Sequence, residues 1–276
     1  MDLSRLYHPL TSTPLGRSSY AEQPPCEALR PYVRCFWRSH AAQGAPTLVI
    51  PDTCMDLLFL RDAPGSAFQP RFCALDDEPF VSTADGRVVF AVRLYPWAAG
   101  MLAEEPLCGT LNRSLDAHAH FPLFTDQLCR LLAQTDDFAS QCRAAEALLF
   151  ARLCPDRVPP DFLNAVHAML LSEGRLRTTE LAASVQLSVR QLERLFSRAA
   201  GASPKKLSSL VRYQQLWHAA VYQPRFDVQD AVYRFGYTDQ SHLLHEFRRY
   251  HSMTLSQALE LARREVAFLQ SSPPQG

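Results

Sequence analysis

Apolar and polar positions alternate most legibly in the C-terminal half of the chain. Leu163, Val166, His167 and Leu170 recur at helical steps and predict a helix that ends near Gly174. Thr178 to Gln186 predicts a short helix with Leu181, Ala182 and Val185 on one face, followed by a break at Leu187. Ser188-Val-Arg-Gln191 has capping-box form: the serine hydroxyl accepts a first-turn N–H and Gln191 reaches back. The helix it starts turns Leu192, Leu195 and Phe196 inward and leaves Arg190, Glu193, Arg194 and Arg198 on the other side. A short helix, a turn and a second helix with a basic outer face predict a helix-turn-helix unit, whose second helix fits a major groove.

The pattern then recurs. Asp227 to Phe235 predicts another short helix, stopped by Gly236, where glycine takes the positive φ of a helix C-terminus. Thr238 is the expected cap of the next helix, which buries Leu243, Phe247 and Tyr250 and presents Gln240, Ser241, His242 and His245 near its start. Thr254-Leu-Ser-Gln257 is a second capping box and opens a last helix. Between the two units, Pro204 to Gln223 is uninterrupted helical pattern, with Ser203 as N-cap, Pro204 at N1 and Pro224 forbidding continuation. Its length is roughly 30 Å, close to the roughly 34 Å between successive major-groove faces on one side of B-DNA. One chain therefore has the reach to fill two adjacent grooves.

Ahead of residue 155 the period changes. Thr47–Ile50, Met55–Leu60 and Arg87–Tyr95 are short β-branched or apolar runs separated by Pro, Gly and Asp clusters, and they predict an antiparallel sheet or barrel. From about Phe121 the steps become helical: Phe124, Leu128, Leu131 and Leu132, then Cys142, Ala145, Leu148 and Leu149, a helical hairpin that closes the domain. The expected class is α+β, an antiparallel β-sheet or barrel-like domain followed by an all-α one. Pro155-Asp-Arg-Val-Pro159-Pro160 reads as a linker, which gives a regulatory domain at 1–154, a linker at 155–160 and a DNA-binding domain at 161–270.

Charge supports this division. The whole chain is neutral, but residues 1–155 hold 13 basic against 17 acidic residues and residues 156–276 hold 15 against 11. The C-terminal part is thus moderately basic. With no apolar run near 18 residues and no basic-then-apolar N-terminus, neither a membrane span nor a signal peptide is expected, and the expected compartment is the cytoplasm. All eight cysteines lie between Cys26 and Cys154 without a C-x-x-C pair, which reads as scattered reduced thiols.

Residues from about 160 to 264 resemble the DNA-binding domain of the AraC/XylS family of bacterial transcription regulators. The resemblance rests on Leu181-Ala182, Ser188-x-x-Gln191-Leu192-x-Arg194-x-Phe196, Gly201-x-Ser203-Pro204-Lys205-x-Leu207, Arg212, and Phe235-Gly236-Tyr237-x-Asp239-x-Ser241-x-Leu243-x-x-x-Phe247. It implies seven helices, two helix-turn-helix units and recognition helices near 188–200 and 239–250. Ser252 stands where glycine is usual, Leu255 where proline is usual, and His245 where Arg or Lys is common. The N-terminal part resembles, less strongly, a sensor-like domain of some members, through Leu29-x-Pro31-Tyr32-Val33, Phe36-Trp37, Val49-Ile50-Pro51-Asp52 with Asp56-Leu57, and Val92-Arg93-Leu94-Tyr95-Pro96. That implies signal reception, dimerisation or both.

The expected function is a promoter-reading transcription regulator that catalyses no reaction and takes no cofactor or metal. Arg190 and Arg194, one turn apart, present planar forks suited to guanine O6 and N7. Glu193 has an acceptor for cytosine N4 or a role as a rim charge, Gln240 suits an adenine edge, and Arg198, Ser241, His242, His245, Lys205 and Lys206 are candidate phosphate or mixed contacts. Arg93, Trp37 and Tyr95 are candidate effector contacts, Arg93 because a charge in an apolar run needs an acid such as Asp52 or an anionic ligand. The expected partners are double-stranded promoter DNA, RNA polymerase if the protein activates, a small-molecule effector and a second copy through the hairpin near 121–153, with no membrane. Two other readings stand beside this one. His118-x-His120 with Asp126 suggests a metal-dependent barrel enzyme, and Cys26 with Cys35, beside Arg34 and Arg38, suggests a redox sensor. No G-x-S-x-G elbow, H-E-x-x-H motif or phosphate-cradling glycine loop is present.

Overall fold

The computed structural model describes residues 2–10, 19–40, 47–63, 65–82 and 86–271. Strands β1 (Ser19–Gln23), β2 (Val33–His40), β4 (Met55–Arg61), β5 (Gln69–Cys73), β7 (Val88–Leu94) and β8 (Ser114–Asp116) form one antiparallel sheet in the order β1-β2-β7-β4-β5-β8. Strands β3 (Thr47–Val49) and β6 (Phe80–Ser82) pair separately. Among the described residues the sheet stays open rather than closing into a barrel.

The period-2 pattern sets what each face does. Met55, Leu57 and Phe59 of β4 stand opposite Leu94, Val92 and Phe90 of β7, and all six are buried. Helices α2 (Pro122–Leu132) and α3 (Phe138–Arg152) form the expected hairpin over this face, with Phe138 edge-on to Phe90 at 6.1 Å and Phe121 edge-on to Phe72 at 4.8 Å. The other face places Asp56 opposite Arg93, and Cys35 opposite Arg93 from the far side. A short helix α1 (Ala99–Leu102) leads away from the sheet.

Seven helices follow among the described residues: α4 (Pro160–Leu171), α5 (Thr178–Ser184), α6 (Val189–Ala200), α7 (Pro204–Tyr222), α8 (Val228–Phe235), α9 (Gln240–His251) and α10 (Leu255–Ser271). The capping box at α6 forms, with Ser188 N–H donating to Gln191 Oε1 at 2.9 Å and Gln191 N–H to Ser188 Oγ at 3.3 Å. The one before α10 forms likewise between Thr254 and Gln257. One cap differs from expectation: α9 is capped by Asp239, whose Oδ1 accepts from His242 N–H at 2.8 Å, and Thr238 lies outside the helix. A carboxylate is a strong N-cap and favours the positive end of the helix dipole, so it displaces the threonine by one residue.

Apolar packing crosses the linker. One buried cluster runs from the sheet through Val158 to Phe162, Leu181, Leu192 and Phe196. A second holds Leu210, Tyr213, Trp217, Val232, Phe235, Leu243, Phe247 and Tyr250, and from the N-terminal part Ile50 joins it. The two helix-turn-helix units thus belong to different cores.

Candidate nucleic-acid interface

In the first unit the turn after α5 is closed by Gln186 at φ 56, and Leu187 N–H returns to Ala182 O at 3.0 Å. Helix α6 buries Leu192, Phe196, Ala199 and Ala200, with Phe196 edge-on to Phe162 at 4.9 Å. Its opposite side holds Arg190, Glu193, Arg194 and Arg198, all exposed. Among the described residues no ion pair ties down Arg190, Glu193 or Arg194. Two arginine forks one turn apart on an open convex face therefore stand free to donate in pairs.

In the second unit Gly236 ends α8 at φ 69, with Tyr237 N–H on Val232 O at 3.0 Å. Helix α9 buries Leu243, Phe247 and Tyr250 as expected and exposes Gln240, Ser241, His242 and His245. The His242 ring packs edge-on to Tyr237 at 5.4 Å, and its Nδ1 takes the Thr238 N–H at 3.4 Å, which leaves Nε2 to face outward as the donor. Ser252 ends α9 at φ 57, the left-handed position for which glycine is suited, and its N–H still reaches Arg248 O at 2.9 Å. The serine thus preserves the cap.

Side chains that sequence reasoning did not single out orient this second helix. Arg212 of α7 donates twice to Glu246 of α9, at 3.0 Å to each oxygen, and its guanidinium lies 4.6 Å from the Tyr237 ring. Tyr237 also donates to Glu246 Oε1 at 2.9 Å. The resemblance named Arg212 and Tyr237 but gave no partner. The signal available was the charge on Arg212 between the apolar Leu210, Val211 and Tyr213, all buried.

The two lysines at the start of α7 separate. Lys205 is exposed, whereas Lys206 Nζ reaches the Asp77 carboxylate of the N-terminal domain. Arg249 of α9 donates to the same Oδ2 at 3.2 Å. Burial pushes the Asp77 carboxyl up, but the hydrogen bonds from Lys206 and Asn112 outweigh it and hold it below the usual carboxylate range.

On the other face of the sheet Arg93, its side chain 12% exposed, finds its acids. It donates to both oxygens of Asp56, at 2.9 and 2.8 Å, with Asp52 at 3.6 Å, and Trp37 Nε1 donates to Asp56 Oδ1 at 3.1 Å. The guanidinium is 5.7 Å from the Trp37 ring. Arg93 and Trp37 are therefore joined through Asp56, while Tyr95 lies elsewhere, stacked on Trp97 at 4.6 Å and buried. Nearby Asp76 is pushed up to about 7 by burial and by the charges of Asp52, Asp77 and Asp56.

The chemistry behind the alternatives is dispersed. His118 is tied at both ring nitrogens, to Asp116 and Asp126 at 2.9 Å each, and those hydrogen bonds raise its pKa. His120 instead packs edge-on to Phe72 and Phe121. Among the described residues no three His, Cys, Asp or Glu side chains are grouped to hold a metal ion. Cys35 is buried, and burial pushes its thiol up, away from the thiolate a redox sensor needs. Arg34 and Arg38 are turned to Glu22 and to the Asp136 carbonyl.

Residues 181–260 match the family model of a helix-turn-helix domain, and residues 21–116 match that of a domain of unknown function (DUF6597). No curated protein matches the chain. Among solved structures, a transcriptional regulator of Chromobacterium violaceum with an AraC-type DNA-binding domain is 23% identical, over 37% of this chain and 92% of its own, with a TM-score of 0.34. A DNA-binding transcriptional dual regulator of Escherichia coli K-12 is 19% identical, over 38% and 95%, with a TM-score of 0.34. ToxT of Vibrio cholerae O395, bound to (E)-4-(8-methylnaphthalen-1-yl)but-3-enoic acid, is 8% identical, over 89% and 100%, with a TM-score of 0.42. Among the described residues no helix is long and apolar enough to cross a membrane.

Proposed function

We propose that this chain, an AraC-type DNA-binding regulator with a separate N-terminal domain, reads promoter DNA in the cytoplasm with α6 and α9 in adjacent major grooves. The observation that carries this reading is the duplication itself. Two capped, amphipathic helix pairs flank a 19-residue connector, roughly 28 Å long, which suits the spacing of successive grooves. Arg190 and Arg194 take guanine edges, each bidentate pair discriminating by roughly 1–3 kcal/mol. Glu193 accepts from cytosine or stands as a rim charge, and Gln240 takes an adenine edge. Arg198, Ser241, His242, His245 and Lys205 serve phosphates or mixed contacts.

Control belongs to residues 1–154, joined by 155–160 to the DNA-binding part at 161–270. There an effector meets the face of Arg93 and Trp37, where it competes with Asp56 for the guanidinium. A homodimer forms through the hairpin, whose Leu123 and Phe150 are exposed, and RNA polymerase is a partner where the protein activates.

Selection of sheared host genomic DNA by the purified full-length protein, at a stated salt concentration, tests the reading. Enrichment of a few promoter fragments sharing a motif, lost in Arg190→Ala/Arg194→Ala, is the expected result. Equal recovery by the double mutant would sink the assignment of α6 as the base reader.

A further inference from the structure

Two cations of the DNA-binding domain converge on one oxygen of the regulatory domain. Asp77 Oδ2 accepts from Lys206 Nζ and from Arg249 at 3.2 Å, while Oδ1 takes Asn112 Nδ2 at 2.6 Å and the Asp77 N–H returns to Asn112 Oδ1 at 2.8 Å. Asn112 thus aims the carboxylate from its own domain. The Asp77 side chain is 5% exposed, but Arg249 is 48% exposed, so an outside anion has access to the cations from the solvent side. Lys206 adjoins exposed Lys205 at the start of the connector, and Arg249 adjoins exposed Arg248 in the last turn of a recognition helix. A pair of ammonium and guanidinium donors on a single anionic oxygen is the chemistry that holds a phosphodiester.

We propose that Lys206 and Arg249 form a backbone-phosphate site that Asp77 occupies in the free protein, so that the regulatory domain masks part of the DNA contact surface. The inference rests on the DNA-binding reading above. The loop leaves β5, where Cys73 stands opposite Asp56 in the register, and Asp76, the residue before Asp77, feels the charges of Asp52 and Asp56. No base contact is involved, so the effect belongs to the salt-dependent, sequence-independent part of binding.

The test is binding of full-length protein to a labelled random-sequence duplex across a salt series, which reads phosphate contacts without knowledge of the target. Asp77→Asn should bind several-fold more tightly at low salt, with a log affinity against log salt slope steeper by about 1 to 2, since each released phosphate contact adds about 0.9. Asp77→Ser removes the charge with a smaller side chain and serves where the amide perturbs folding. Adding Lys206→Ala/Arg249→Ala to either variant should abolish the gain. An unchanged or shallower slope in both Asp77 variants, or a gain that survives loss of the two cations, overturns the proposal. If the mask alone fails, the wild type still binds duplex with a salt-dependent slope; if no protein binds duplex at all, the DNA-binding reading falls with it.

Discussion

The two helix-turn-helix units are written in the same local code and are attached to the rest of the molecule in different ways. In the first, α6 is part of the core that continues into the sheet domain, and its C-terminal end abuts that domain: Leu107 N–H donates to Arg198 O at 3.0 Å, and Gly201 faces Thr110. In the second, α9 packs in a core of its own, to which the N-terminal part adds Ile50, with Leu10 and Leu48 beside it. Polar contacts do the rest: Gln214 Nε2 donates to Pro51 O at 2.6 Å, and Arg249 meets Asp77. Apolar burial is non-directional and resists gradual adjustment, whereas ion pairs exchange partners readily. The first unit is therefore the more firmly fixed of the two, and, on the function proposed above, the second is the one a signal from the N-terminal domain can move.

The sharpest way to break this comparison is to cut one aromatic anchor from each core. Phe196→Ala and Phe247→Ala each remove a fully buried ring, at a cost of about 3–5 kcal/mol. By calorimetry, Phe196→Ala should lower the main transition of the whole chain, because its cluster spans both parts. Phe247→Ala should instead split off an early transition for the second unit. Two variants that lower one common transition equally would show that the two cores melt as one.

A smaller contrast comes from two glycines with the same job. Gly201 and Gly236 both cap a helix in the left-handed region, at φ 68 and 69. A Cβ at Gly236 would meet the Arg175 side chain no closer than 3.5 Å, so Gly236→Ala costs the backbone strain alone, about 1–2 kcal/mol. At Gly201 the Cβ would lie 2.3 Å from Thr110 Oγ1 and 2.8 Å from Leu107 O, contacts made by the other domain. Gly201→Ala should therefore destabilise by about 1–3 kcal/mol more, measured by urea unfolding. Equal losses would mean that the domains separate at little cost.

What the sequence made legible follows from how local each feature is. Ser188 with Gln191, Thr254 with Gln257 and the apolar stripe of Leu243, Phe247 and Tyr250 are set within a few residues, and they formed as read. The hairpin α2 and α3 was legible for the same reason. Strands β1, β2, β5, β6 and β8 were not: β5 holds Gln69, Pro70 and Arg71, and it is a strand because β4 and β8 flank it, not because of its own pattern. The candidate base contacts were placed on exposed faces by helical period alone. Lys206 shows the limit, since period places it on the surface of its own domain but cannot see Asp77, 129 residues away in sequence. Tyr95 is similar: alternation along β7 ends at Leu94, and the next side chain turns into the core against Trp97.

Acid should also tell the two units apart, by about 2 kcal/mol. His251, the last residue of α9, is buried against Trp217 at 4.7 Å and Phe247 at 4.8 Å, and its Nδ1 accepts from the Tyr213 hydroxyl at 2.8 Å. Burial lowers its pKa from 6.5 to about 4. The unfolded chain therefore binds the proton that the folded unit refuses, so the contribution is complete above about pH 6.5 and is lost as pH falls toward 4. Between about pH 7.5 and about pH 5 the loss is about 2 kcal/mol. Helices α5 and α6 contain no histidine, and the sheet domain carries the opposite sign at Asp76. That carboxyl is pushed up to about 7, so its folded form holds a proton that the unfolded chain releases, and its stability rises as pH falls from about 7 toward 4. Mild acid should thus loosen the second unit while the sheet domain holds. Hydrogen exchange read unit by unit would show faster exchange in α8 and α9 at about pH 5, after correction for the intrinsic rate, and His251→Gln, which keeps an acceptor for Tyr213, would remove the effect. If α5 and α6 loosened to the same extent, the separate core assigned to the second unit would not be a separate unit of stability.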